Sequence, residues 1–343
     1  MKERIKWIDV VKGFLLLLIC FAHYDGIPDF INDALLSNRV MYRVPIFIML
    51  SGYLYNEKKC VPFSEYAKRK TRTLLVPYIS LSAIFILLDW NTYLQSGSLG
   101  DNLYKVFVVG SGPMKASPLW FLTTLYFTTL LGYWVQKLWS RPAVLFALLA
   151  ALTGVAWALS VRDMRLPWLM HLLPAAMVFY VGGTVVYKLS GYAREKCSSA
   201  GYAAVLILTM GGGISGFWLD LGDFHLNIIH NYVMFYLSPM LFTLSVSLLC
   251  SRWKYSYSDA ASEAMMWIGK NGMVVLAFHA YMIIIFNLAV RHFGWDETSW
   301  AVFAAKTAFI FIPLYVVVVP AFNKYLYFLI GKNKKHEYEQ RRS

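Results

Sequence analysis

The strongest constraint on this chain is a succession of apolar stretches, each near the length needed to cross a lipid bilayer. A membrane-spanning helix takes about 17–25 predominantly apolar residues. Ten such stretches can be marked: Trp7–Tyr24, Val40–Tyr55, Thr73–Trp90, Pro118–Leu138, Pro142–Ser160, Leu166–Leu189, Ala200–Leu219, Asn231–Cys250, Met266–Val290 and Trp300–Phe322. The second is short, and Leu103–Gly110 is too short to span, so it is expected at the surface or as a re-entrant piece. Of the 343 residues, 58% are hydrophobic and 15% charged, whereas soluble domains run about 45–50% apolar and about a quarter charged. A soluble enzyme of this length would need more polar surface than that. The expected fold is an all-α polytopic integral membrane protein of about ten transmembrane helices. The 12 Trp and 23 Tyr suit membrane–water interfaces.

The basic residues set an expected orientation. With the N-terminus in the cytoplasm, 23 of the 32 Lys and Arg fall on connections that face inward, and Lys270 sits at the inner end of the ninth stretch. Arg39, Arg43, Lys105, Lys115, Arg162, Arg165 and Arg291 fall outside, and Lys306 lies within the tenth stretch. The positive-inside rule then places both termini in the cytoplasm, and the alternation is kept only by an even number of spans. The net charge of +13 therefore reports topology rather than a nucleic-acid partner. Cys60, Cys197 and Cys250 map to the inner side and Cys20 lies within the first stretch, so no outer-face disulfide is expected. No cleavable signal peptide is expected, because the first apolar run has no small-residue cleavage site. Residues 1–330 read as one membrane-embedded domain and 331–343 as a basic cytoplasmic tail.

Ionisable residues inside spans are expensive and therefore functional candidates. The first stretch carries Asp9, Lys12 and His23. Lys12 and His23 are eleven residues apart, about three helical turns, and so share a face about 16 Å apart along the axis. Asp9 lies three residues before Lys12, close enough to pair with it near the inner interface, where Lys12 snorkels. His23 reads as a base or ligand as readily as a cap. His279, and His171 at the start of the sixth stretch, fall in the same outer half, which favours a shared polar cavity. Arg43 needs a carboxylate or carbonyl partner. Ser51-Gly52 permits a close helix approach. Lys68-Arg69-Lys70-Thr71-Arg72 reads either as a topology and lipid-headgroup signal or as a phosphate-binding cluster, for which Arg offers bidentate geometry. The loop residues Asp220, Asp223, His225 and His230 lack the spacing of a helical metal-ligand pair, and no metal is expected. No Walker loop, dinucleotide fingerprint, Gly-x-Ser-x-Gly elbow or CxxC pair is present, which argues against primary active transport.

The opening Arg4-Ile5-Lys6-Trp7-Ile8-Asp9-Val10-Val11-Lys12-Gly13, with His23 beyond it, and Pro45-Ile46-Phe47-Ile48-Met49-Leu50-Ser51-Gly52-Tyr53 resemble the integral-membrane acyltransferase family 3. The Asp-x-x-Lys-Gly form is similar to its fucose 4-O-acetylase branch. Arg69-x-x-Arg72 before Pro77-Tyr78, Pro118-Leu119-Trp120-Phe121-Leu122 and Ile268-Gly269-Lys270-Asn271 with His279 match further landmarks. Lys12 stands where many members have Arg, and Tyr42-Arg43-Val44-Pro45 where many of the branch read Phe-His-Met-Pro.

The resemblance implies transfer of an acyl group, commonly acetyl, from cytosolic acyl-CoA to a cell-surface glycan or lipid-linked sugar. A bacterial inner membrane is the family expectation. On that reading Arg69 and Arg72, with Lys68 and Lys70, take the nucleotide end of acetyl-CoA; Ser51 and Tyr53 complete the donor-binding set. The pantetheine arm then threads between helices toward His23. His23 removes the proton of the attacking hydroxyl, or itself carries the acetyl group. Trp120, Asn271 and His279 are candidate donors to the oxyanion, and Asp9 and Lys12 order the inner half of the first helix. A secondary transporter or flippase of lipid-linked saccharides is the competing class, although neither an inverted repeat nor paired broken helices are visible. Membrane lipids are expected partners, nucleic acid is not, and assembly with further copies of the chain stays open.

Overall fold

Inside lipid a helix satisfies its own backbone N–H and C=O groups, and this chain is helical almost throughout. The computed structural model describes residues 5–28, 42–56, 61–252 and 257–333. Val40, Met41 and Cys60 lie outside them, as do Arg39, Lys58, Lys59, Lys254 and most of the 331–343 tail.

The helices are α1 (Lys6–Phe21), α2 (Arg43–Asn56), α3 (Phe63–Leu88), α4 (Trp120–Val135), α5 (Pro142–Val161), α6 (Pro167–Lys196), α7 (Ser199–Trp218), α8 (Tyr232–Arg252), α9 (Ala260–Lys270), α10 (Gly272–Phe293) and α11 (Trp300–Lys324). Seven of these, α3, α5, α6, α7, α8, α10 and α11, are long and apolar enough to cross a membrane. The protein is an integral membrane protein. The other three expected spans, α1, α2 and α4, have 16, 14 and 16 residues. At 1.5 Å per residue they cover roughly 21–24 Å, short of the ~30 Å hydrocarbon core. Three-ten turns at Met114–Leu119 and Gln136–Ser140 extend α4 at both ends.

Two expected boundaries move. The third stretch begins ten residues earlier than expected, because Phe63–Lys70 is already helical and runs into the apolar part through a π-helical turn at Thr71–Leu75. The basic run is thus on a helix rather than in a loop before one. The ninth stretch is broken at Asn271, whose φ −106° and ψ 16° leave the helical region. Its side-chain Nδ2 donates to Trp267 O at 3.0 Å, beside the bond that its own backbone N–H makes to the same carbonyl at 3.1 Å.

The chain forms two compact units. The first contains residues 1–8, 38–67 and 127–263. Here α2 lies against α6 through glycines on both sides: Gly52 leaves no room for a Cβ against the Tyr180 carbonyl, nor Gly183 against that of Met49. The approach expected of Ser51-Gly52 is what the helices use. Arg43, expected to need a partner, opens α2 in this unit and is half-buried. His171, in the same unit, accepts from Leu166 N at 3.2 Å, bracing the left-handed Trp168 and Leu169. A two-residue antiparallel pairing of Gly222–Asp223 with Ile228–Ile229 closes the loop after α7.

The second unit contains residues 9–37, 68–126 and 264–343. There α1 crosses α9 with backbones in contact: a Cβ on Gly13 would stand 2.6 Å from the Met265 carbonyl carbon, and one on Gly269 would be 3.0 Å from Gly13 N. The short Leu103–Gly110 segment packs on α3, because the buried Tyr78 hydroxyl donates to Val106 O at 2.8 Å and accepts from Gly112 N at 3.1 Å.

Candidate active site

His23 and His279 meet in the second unit. Helix α1 ends at Phe21, and a bond from His23 N to Cys20 O closes a turn that leaves the imidazole exposed at the helix end. Its Nδ1 is 2.8 Å from Ile19 O. A carbonyl oxygen only accepts, so Nδ1 carries the hydrogen and Nε2 of the neutral ring holds the lone pair. His279 on α10 repeats the arrangement, with Nδ1 3.1 Å from Val275 O. The ring centroids are 5.2 Å apart and the planes 83° apart, edge to face. The pair joins one accessible imidazole to one that is fully buried, each tied to its own helix through Nδ1.

Among the described residues the buried Nε2 of His279 has no hydrogen-bond partner. Such an orphan costs about 1–3 kcal/mol, and native proteins keep few of them. The expected role of His279 changes with this geometry. With Nδ1 given to Val275 O, a neutral His279 has no N–H left for an oxyanion; it presents an acceptor.

A second polar group forms around the basic run of α3. Arg72 Nη2 donates to Lys332 O at 2.9 Å. Lys332 Nζ donates to Asn323 Oδ1 at 2.6 Å, and Asn323 Nδ2 to Asn271 Oδ1 at 3.1 Å. Two landmarks far apart in sequence, Arg72 and Asn271, are therefore joined by one hydrogen-bonded chain. This chain passes through the segment after α11, where Gly331, at φ +70°, lies against the Arg72 carbonyl. Asn271 is eight residues before His279, about 12 Å along the helix axis. It belongs to the basic end of α10, joined through Asn323 and Lys332 to Arg72. Lys68 and Arg69 are exposed and Lys70 is half-buried.

Of the remaining expected residues, Asp9 is 5% exposed on α1 and Lys12 half-buried. Trp120 opens α4; its carbonyl receives the Thr123 hydroxyl at 2.7 Å, and its ring meets Phe121 edge-on at 6.2 Å. Ser51 and Tyr53 belong to the first unit. Ser51 Oγ donates to Phe47 O one turn back, and the Tyr53 ring lies edge-on to Trp7 and Tyr187, at 5.5 and 5.1 Å.

Sequence reasoning missed Asn323 and Lys332 as parts of this chain, and left Lys306 unassigned although its charge within a span was the available signal. Among the described residues no three His, Cys, Asp or Glu side chains gather to hold a metal ion. Of the loop residues drawn as ligands, His230 Nδ1 meets Asp220 Oδ2 at 2.7 Å as a pair.

Apolar spanning helices, an imidazole pair of which one ring is exposed and the other buried, and a separate cationic helix face define a membrane protein with ionisable groups gathered at two places in one unit. The family model described as an acyltransferase domain (Acyl_transf_3) matches residues 5–319. The chain belongs to this acyltransferase family. Searches of curated proteins and of solved structures found no match.

Proposed function

We propose that the protein is an O-acetyltransferase of the bacterial inner membrane, moving acetyl from cytosolic acetyl-CoA to a hydroxyl of a cell-surface glycan or lipid-linked sugar. The observation that carries the reading is the His23–His279 pair, with His23 exposed, its Nδ1 tied to Ile19 O and its basic Nε2 set by that bond. A sugar hydroxyl is a poor nucleophile until a base takes its proton during attack. On this reading His23 Nε2 takes that proton as the oxygen bonds to the thioester carbonyl carbon. The carbon–sulfur bond then breaks, and the imidazolium returns the proton to the leaving thiolate. His279 behind it supplies a second lone pair that favours the imidazolium once formed.

The exposed Arg69 and Lys68 support docking of the nucleotide phosphates, with Arg72 beside them; charged hydrogen bonds of this kind are about twice as strong as neutral ones. The inward bias of Lys and Arg supports a cytoplasmic location for that cluster and for both termini. Ten spans follow if α1, α2 and α4 are completed across the bilayer by their flanking turns.

The test is consumption of labelled acetyl-CoA by the purified protein in nanodiscs, with an envelope glycan extract as acceptor source. Label passing into glycan with the wild type, and not with His23→Ala, is the expected result, with acetyl-CoA still bound by the variant. Turnover retained by His23→Ala removes the residue from the mechanism. No binding or consumption of acetyl-CoA by the wild type refutes the donor assignment and advances saccharide transport.

A further inference from the structure

The turn that presents His23 is held from behind by residues to which the transfer chemistry gives no role. Lys306, on α11, is 1% exposed. Its Nζ donates to the backbone carbonyl of Asp25 at 2.8 Å and lies over the rings of Tyr24 and Phe286, 5.2 and 6.0 Å from their centroids. A buried ammonium without hydrogen bonds is costly, so a lysine kept here is held by what it bonds. Three further contacts reach the same turn. Asn287, on the His279 helix, donates from Nδ2 to Asp25 Oδ2 at 2.8 Å. The Tyr24 hydroxyl donates to Thr307 Oγ1 at 3.2 Å. Gly26, at φ +65°, lies where a Cβ would collide with Glu297. Among the described residues, the charged and titratable groups around the turn include Cys20, Tyr24, Asp25, Arg291 (4.0 Å from Asp25 Oδ2), Glu297, Lys306 and the two histidines.

His279 and Asn287 lie eight residues apart on α10, with the buried Ile283 between them. The first meets the His23 ring and the second the Asp25 carboxylate, so α10 fixes the turn at both ends while α11 fixes its backbone. We propose that Lys306 is a positioning residue for His23: through the Asp25 carbonyl it locks the turn that sets the imidazole against His279. Asn287 is the companion latch. The inference rests on His23 being the base, but the position of the ring is measurable without any transfer.

The experiment compares wild type, Lys306→Met, Lys306→Arg and Asn287→Leu in nanodiscs. Two readouts are taken: hydrogen–deuterium exchange at the imidazole C2 of His23 across pH, by mass spectrometry, and the kinetics of acetyl transfer. Lys306→Met removes the donor and keeps the apolar length. A displacement of the ring by about 1 Å can cost roughly 100-fold in rate. The expected result is a kcat fall of ten- to a hundredfold with KM for acetyl-CoA within twofold, and a changed C2-exchange pH profile at His23. Lys306→Arg, which keeps a cationic donor, is expected to recover part of both. A wild-type exchange profile and kcat in Lys306→Met overturn the proposal. If Lys306→Met does not fold, Asn287→Leu decides it: an altered His23 profile supports the latch, and an unaltered one refutes it. A wild type that transfers no acetyl refutes the acyltransfer reading alone, because the exchange profile still reports the latch.

Discussion

Replacing Gly13 by Ala tests whether the α1–α9 crossing fixes the site. An added Cβ would stand 2.6 Å from the Met265 carbonyl carbon and 2.9 Å from its Cα. Carbon atoms prefer about 3.5 Å or more, so the deficit is roughly 0.9 Å. The obstacle is backbone on the facing helix, so no side-chain rotation relieves it and the helices must part. Overpacking of this kind costs about 1–3 kcal/mol, occasionally more. The backbone-bound clash puts Gly13→Ala at the upper end, about 3 kcal/mol, against about 0.5–1 kcal/mol gained from the helix preference of Ala. Net destabilisation is then about 2 kcal/mol. Gly211→Ala is the control: it lies within α7, and a Cβ there would meet nothing within 4 Å, so it is expected to be neutral or slightly stabilising. The assay is the fraction of protein remaining monodisperse after heating in detergent, with both variants beside wild type. Because α1 carries His23 ten residues further on, Gly13→Ala should also lose transfer activity below its melting range. Equal thermal survival of the two variants refutes the crossing as drawn.

Arg69→Ala should raise the dissociation constant of acetyl-CoA about tenfold or more, one charged hydrogen bond being worth about 1.5–3 kcal/mol. Affinity unchanged by calorimetry returns the cluster to a topology signal. Lys115→Met should destabilise the protein by about 2 kcal/mol. The loss is smaller than the 3–5 kcal/mol of a fully buried pair, because Lys115 is 27% exposed while Asp89, its partner at 2.6 Å, is 6% exposed. The double variant Asp89→Leu/Lys115→Met should recover part of that stability in a thermal double-mutant cycle, and strict additivity would remove the pair as a coupled unit.

The distribution of polar groups bears on how the reaction would be organised. The imidazoles belong to the turn after α1 and to α10, whereas the network of Arg72, Lys332, Asn323 and Asn271 draws on α3, the residue preceding α10, α11 and the segment after α11. A donor gripped at the basic network and reacting at His23 must be long and flexible between its two ends, as a pantetheine arm is. The π-helical turn at Thr71–Leu75 bears on this too, because such turns sit often at functional sites. Here it begins inside the basic run, and Arg72 falls within it.

The helical class and the apolar spans from α5 to α8 and at α11 were legible in the sequence, which also marked His23, His279 and the basic run as candidates. Each rests on a local quantity: twenty or so apolar residues in a row, or a charge where lipid forbids one. Ordering by short motifs carried the family as well, since the matched region runs over nearly the whole chain. Roles set by hydrogen-bond direction were not legible. Nothing in the letters around His279 says that Nδ1 turns to Val275 O, and that single bond turns an expected donor into an acceptor. Nor does spacing reveal that Asn271 is tied to Asn323 and Lys332, or that Lys306 reaches the carbonyl two residues past His23. Those pairs are separated by dozens to hundreds of residues, and only packing brings them together. Hydropathy could register Lys306 as an anomaly within a span; the tertiary structure alone supplies the carbonyl and the aromatic rings that make a buried ammonium tolerable there.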